Sequence, residues 1–123
     1  LTIVTYAATV WKALEAAEQL AAEDGLSVEV IDLRTLLPMA DEAIVRSVKK
    51  TNRLLVVHED TVTGGVAGEI TARVNELCFE WLDAPVRRVA ATDTFVAYAP
   101  ELEDVILPQV ESLRQAIASI AAF

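Results

Sequence analysis

The sequence predicts an α/β domain: a mostly parallel sheet of four to five strands with helices on both faces. Three observations point there. Four segments rich in β-branched residues alternate with segments of helical period, in the order βα-βα-βα-βα, which favours parallel strands joined by crossover helices. The run Leu54-Leu55-Val56-Val57 is apolar without a break, as a strand buried on both faces requires. The chain has 123 residues, 54% of them hydrophobic, enough for one core and one domain spanning residues 1–123.

Leu1–Tyr6 reads as the first strand. Thr9 can cap a helix to about Asp24, with an apolar stripe at Val10, Leu14, Ala17, Leu20 and Ala21, and Gly25 stops it. Leu26–Asp32 is the second strand, and Leu33–Met39 a loop broken by Pro38. Asp41 can cap a second helix to about Lys50, with Ile44, Val45 and Val48 inward; Lys49 and Lys50 suit the negative end of its dipole. Arg53–His58 is the third strand, and Gly64-Gly65 ends the turn after it. A helix from about Val66 to Leu82 should present Ala67, Ile70, Val74, Leu77, Cys78 and Trp81 on one face. Val86–Ala91 is the fourth strand, Thr92–Pro100 a long loop, and Glu101–Leu107 a short helical piece. Pro108 fits the first turn of a last helix that buries Val110, Leu113, Ile117 and Ile120.

Composition narrows the function. Nineteen acidic residues face ten basic ones, a net charge of −9. With no basic block, neither nucleic acid nor an anionic membrane surface is an expected partner, because cationic contacts supply most of that affinity. A basic protein partner fits. The single cysteine, Cys78, rules out an internal disulfide and agrees with a reducing compartment. The chain opens directly on a strand pattern without methionine and is expected to be a fragment of a longer protein or a processed chain.

The chemistry-bearing residues gather at the predicted carboxyl ends of the strands, where open α/β sheets bind ligands. The most conspicuous are His58, Glu59 and Asp60, in the stretch LLVVHEDTVTGG. A histidine beside carboxylates can be a general base. With one histidine and no evident nucleophile, however, no triad can be assembled, and a structural histidine at a polar strand terminus is the preferred reading. HED begins like a zinc motif but has no second histidine to complete it. Gly64-Gly65 opens a helix, yet fits no phosphate-loop pattern, and Glu59 and Asp60 would repel an anion; close approach of the turn to the sheet explains the glycines. Cys78 reads as a buried structural thiol. Trp11 lies off the main stripe of its helix and is either an interface anchor or an ordinary half-buried side chain. No catalytic, cofactor-binding or metal-ligating residue is assigned.

Four phrases carry a further signal: TIVTYAATVWKALEAAEQL, VEVIDLRTLLPMADEAIVRSVKKTNRLLVVHED, TGGVAGEI and LDAPVRRVAATDTFVAYAPELEDVILP. In this order and spacing they resemble the transketolase C-terminal-like domain of the β subunit of thiamine-diphosphate-dependent 2-oxoacid dehydrogenases, the E1 component. The resemblance implies a three-layer αβα sandwich, often with one antiparallel strand. It implies that the whole enzyme decarboxylates a 2-oxoacid and reductively acylates a lipoyl group on E2. Thiamine diphosphate and Mg²⁺ would be gripped by the α subunit and by the β subunit's preceding domain, none bound by these residues. The expected partners are the E1 α subunit, a second E1 β subunit and the E2 subunit-binding domain, in a bacterial cytoplasm or a mitochondrial matrix. By motif position, Asp83 of LDAP and the terminal carboxylate of Phe123 resemble the docking region for E2, which is commonly basic. His58-Glu59-Asp60 resembles a strand end near a subunit junction and a substrate channel. Two departures concern loops: Ala7 stands where the family often has glycine, and FVAYAP near position 96 lacks the usual aromatic or second proline. The equivalent domain of transketolase or deoxyxylulose-phosphate synthase, or an independent small-ligand binding module, are the alternatives.

Overall fold

The computed structural model describes residues 1–123. Strands β1 (Thr2–Thr5), β2 (Glu29–Asp32), β3 (Leu54–Thr61) and β4 (Arg87–Ala91) form one sheet in the order β2-β1-β3-β4. All three pairings are parallel, so the antiparallel strand implied by resemblance is not among these four. Helices α1 (Thr9–Asp24), α2 (Asp41–Thr51), α3 (Val66–Cys78), α4 (Pro100–Ile106) and α5 (Val110–Ala121) complete the chain.

The period of two in each strand sorts the core into two layers. Ile3, Leu55 and Val57 pack with Ala13, Ala16 and Leu20 of α1 and Leu113, Ile117 and Ile120 of α5. On the other face Val4, Leu54 and Val56 meet Ile44 and Val48 of α2 and Ala67, Ile70 and Val74 of α3. The molecule is thus a three-layer αβα sandwich. The uninterrupted Leu54–Val57 run serves both layers, which is why a single strand there needs four consecutive apolar residues. Polar ties hold the helices in place. Arg73 of α3 bonds Asp41 of α2 at 2.8 Å and Glu69 at 2.7 Å, and Arg114 of α5 meets Glu23 and Gln19 of α1.

The first helix departs from the expected face. Its buried residues are Thr9, Ala13, Ala16 and Leu20; of the predicted stripe only Leu20 is in the core. Two alanines let α1 lie close on the sheet, while Val10, Leu14, Ala17 and Ala21 form a flank beside β2, the sheet edge, with no strand beyond it to cover them. Trp11 is 75% exposed on this helix, so it is not the half-buried side chain of the two alternatives. Caps differ as well. Ala8 and Ala40 occupy the N-cap positions, and Thr9 and Asp41 are the first helical residues. Thr9 instead donates to the Tyr6 carbonyl at 2.8 Å and its hydroxyl meets that of Thr5 at 2.7 Å. The third helix stops at Cys78 and tightens into a 3₁₀ turn over Phe79–Trp81. Consequently Trp81 is not in the core, its ring lying outside, 5.3 Å from the Lys49 ammonium; Leu77, still within α3, is exposed as well. Cys78 is buried, as expected, and burial pushes its thiol pKa up. Pro108 precedes the Gln109 N-cap of α5 rather than sitting in its first turn.

Candidate functional site

Because every strand is parallel, residues before a strand and residues after it lie at opposite ends of the sheet. Asp83 precedes β4 and Arg53 precedes β3, so both lie at the amino end. The last helix, α5, runs back to that same end. Arg53 ties these parts together: its Nη1 is 3.9 Å from Asp83 Oδ2, and its Nε donates to the Ile120 carbonyl at 3.2 Å. The backbone of Asp83 is fixed independently, its N–H donating to the Asn52 carbonyl at 2.8 Å. Asn52 closes α2 in the left-handed conformation, φ 60°, and its side-chain amide donates to the Trp81 carbonyl at 2.8 Å. Asp83 therefore sits on a fixed backbone with its carboxylate 60% exposed, at the end of the molecule where exposed Phe123 follows α5. The structure brings Asp83 and Phe123 to one end of the sheet. Arg53 and Asn52, which organise it, went unassigned in the sequence; the signal was their place just before a strand and just after a helix.

His58, Glu59 and Asp60 lie at the opposite end, and two expectations for them change. Strand β3 runs on to Thr61, so His58 is inside the strand rather than at its end. It is also fully buried rather than at a polar terminus. Beyond Val57 the strand is bulged: Val57 pairs with Val89 and Thr61 with Ala91, so β3 places His58, Glu59 and Asp60 against Ala90 alone. Strand alternation puts His58 on the face of Leu54 and Val56, beneath the start of α3, while Glu59 is half-buried and Asp60 exposed. A Cβ on Gly65 would fall 2.5 Å from His58 Cε1, so glycine is required there by close approach to the ring. Neither ring nitrogen has a hydrogen-bond partner. Burial lowers the His58 pKa, favouring the neutral ring, and the Asp60 charge opposes it.

Around the bulge the turn is clamped. The Thr63 N–H donates to Asp93 Oδ1 at 3.0 Å and its hydroxyl to Asp93 Oδ2 at 2.6 Å, which lowers the Asp93 pKa. Arg88 donates to the Val62 carbonyl at 3.1 Å. Across the β1–β3 junction, Tyr6 has its pKa raised by burial and by the charges of Asp60 and Glu59. This junction is where the chain's winding reverses, the usual ligand crevice of such sheets. Here it is anionic, and Gly65 is packed onto His58, so the turn offers no open cradle for a phosphate. No three of the His, Cys, Asp and Glu side chains converge to hold a metal.

Residues 1–113 match the transketolase C-terminal domain family. The chain belongs to this family. The transketolase C-terminal domain described above is 43% identical over 98% of its length to the mitochondrial pyruvate dehydrogenase E1 component subunit beta of Saccharomyces cerevisiae, covering 33% of that protein. It is 47% identical over 94% of its length to the mitochondrial subunit beta-1 of Arabidopsis thaliana, covering 32%. With the 2-oxoisovalerate dehydrogenase subunit beta of Bacillus subtilis it shares 39% identity over its whole length, covering 38%. The chain thus spans about a third of the length of the curated relatives it matches. Among solved structures, a split-gene transketolase described as an inactive β4 tetramer superposes with a TM-score of 0.74 at 29% identity, covering 97% of this chain and 37% of that one.

Proposed function

We propose that this domain is the C-terminal part of a 2-oxoacid dehydrogenase E1 β subunit, and that it assembles the enzyme and docks E2 rather than performing chemistry. The arrangement of Asp83, Arg53 and the end of α5 carries the reading. It presents an exposed carboxylate on a fixed backbone near the end of α5, the chemistry that would meet a basic E2 subunit-binding domain. In that reading the parent enzyme decarboxylates a 2-oxoacid on thiamine diphosphate and passes the acyl group, with reduction, to lipoyl-E2. The cofactor and Mg²⁺ are held by the α subunit and the rest of the β subunit. The exposed flank of α1, with Trp11, supports contact with further subunits, including a second β chain.

The test is a calorimetric titration with an E2 subunit-binding domain at two salt concentrations, with thiamine diphosphate–Mg²⁺ as a control ligand. Salt-sensitive E2 binding is expected, since exposed ion pairs are screened within roughly 10 Å at 0.1 M salt. Asp83→Lys should weaken it by about tenfold or more, roughly 1.4 kcal/mol. Unchanged affinity in that variant would remove the docking assignment, and cofactor binding without E2 binding would overturn the whole reading.

A further inference from the structure

His58 is sealed inside the molecule by a single turn. The ring is fully buried, and neither Nδ1 nor Nε2 has a hydrogen-bond partner. Its cover is the connection between β3 and α3. A Cβ built on Gly65 would fall 2.5 Å from the ring's Cε1 and 3.0 Å from Nε2, and would strike the Thr61 carbonyl as well. Residues 61–65 therefore double back over the imidazole, with Gly64 making the reversal at φ 78°. Within this turn only Gly65 is buried; Thr63 and Gly64 are exposed, and Thr61 and Val62 are half-buried. Lifting the turn uncovers little besides Gly65 and the ring, whereas opening β3 or α3 themselves breaks a core layer.

The turn is held from outside, not by the ring. Thr63 donates twice to Asp93, Arg88 donates to the Val62 carbonyl, and the Val62 N–H donates to the Ala91 carbonyl at 3.0 Å. The bonds from Thr63 hold the Asp93 carboxyl below the usual carboxylate range, so this clamp stays ionised at a pH where an imidazole takes up its proton. The titratable groups around His58 are Glu59 and Asp60 on β3 itself, Tyr6 on β1 and Arg88 on β4; α3 brings Glu69 and α2 brings Asp41, both engaged by Arg73. Asp60 favours the charged ring through its carboxylate and its backbone, and Arg88 opposes it, yet no group closes a hydrogen bond with either nitrogen. An imidazolium is a donor on both nitrogens, so a charged His58 has no satisfied position beneath Gly65. With the turn lifted, water reaches both.

We propose that His58 is a pH-sensitive latch: on taking up a proton it releases residues 61–65 and the start of α3, while both core layers stay packed. The latch rests on the packing of this domain and not on the E1 β reading. The experiment is hydrogen exchange, read by mass spectrometry on the full chain containing this domain, at pH 7.5 and 5.5 with intrinsic rates corrected. Peptides covering residues 59–67 are compared with peptides from α5. An uncovered imidazole titrates near about 6.5, so this pH step multiplies the opening constant of the turn by about ten. Turn protection should therefore fall about tenfold in wild type while α5 changes less than about twofold. His58→Gln and His58→Leu, which do not titrate, should each lose the step. Wild-type turn protection within about twofold at the two pH values would overturn the latch. So would an equal fall in the turn and in α5, which is global unfolding, or the same fall in either folded variant, which would assign the step to another group.

Discussion

The most informative residue is His58, a buried imidazole with no partner on either nitrogen. Such groups cost stability unless kept neutral. Its pKa is lowered in the folded chain, so below the unfolded value of about 6.5 the unfolded chain binds a proton that the folded chain does not. The His58 contribution is therefore complete above that pH and declines as pH falls from it towards the folded pKa. Urea midpoints at pH 7.5 and 5.5 should drop more for wild type than for His58→Leu; equal drops would show that the ring is not the cause. Gly65→Ala should cost about 1–3 kcal/mol by forcing a methyl into the His58 ring and the Thr61 carbonyl, measured by the same unfolding. Ala7 offers the reverse case. It sits at φ 55°, where a side chain is strained. Ala7→Gly should raise stability by about 0.5–1 kcal/mol, and a loss of stability would mean that the methyl makes contacts outweighing the strain.

At the scale of elements, periodicity located every helix and strand but oriented them unevenly. Helices α2 and α5 have one apolar stripe each, and Ile44, Val48, Leu113, Ile117 and Ile120 are buried as their spacing demands. Helix α1 has two apolar faces, one small and one large. Spacing alone favours the large one, whereas close packing on a sheet favours alanine, and the larger face is left over the uncovered edge of β2. Ala16→Leu should therefore cost about 1–3 kcal/mol by overpacking, while Leu14→Ser stays within about 0.5 kcal/mol of wild type in denaturant unfolding. The opposite ranking would restore the predicted stripe. Helix α3 illustrates a further limit: the 3.6-residue pattern runs through Trp81, but the backbone tightens at Phe79, and the last apolar residues rotate out.

On the scale of the whole molecule, the parallel sheet separates two surfaces. One is at the amino end, where Asp83 lies beside Arg53; the other, at the carboxyl end, shows exposed Phe95, Tyr98 and Val105 among the carboxylates of Glu101, Glu103 and Asp104. A chain of net charge −9 suits a basic partner, and the proposed E2 contact should weaken as salt rises. The sequence by itself determined the alternation of strands and helices, the doubly buried third strand, the single buried thiol and the family. Those depend on local period, on composition and on motif order, which the chain carries in one dimension. Only the tertiary structure decided that His58 is sealed beneath Gly65, that Arg53 joins Asp83 to the end of α5, and which face of α1 meets the sheet. Each depends on residues distant in sequence meeting across strands, through a bulge, a shared end of the sheet or the spacing between layers, and no window along the chain contains both partners.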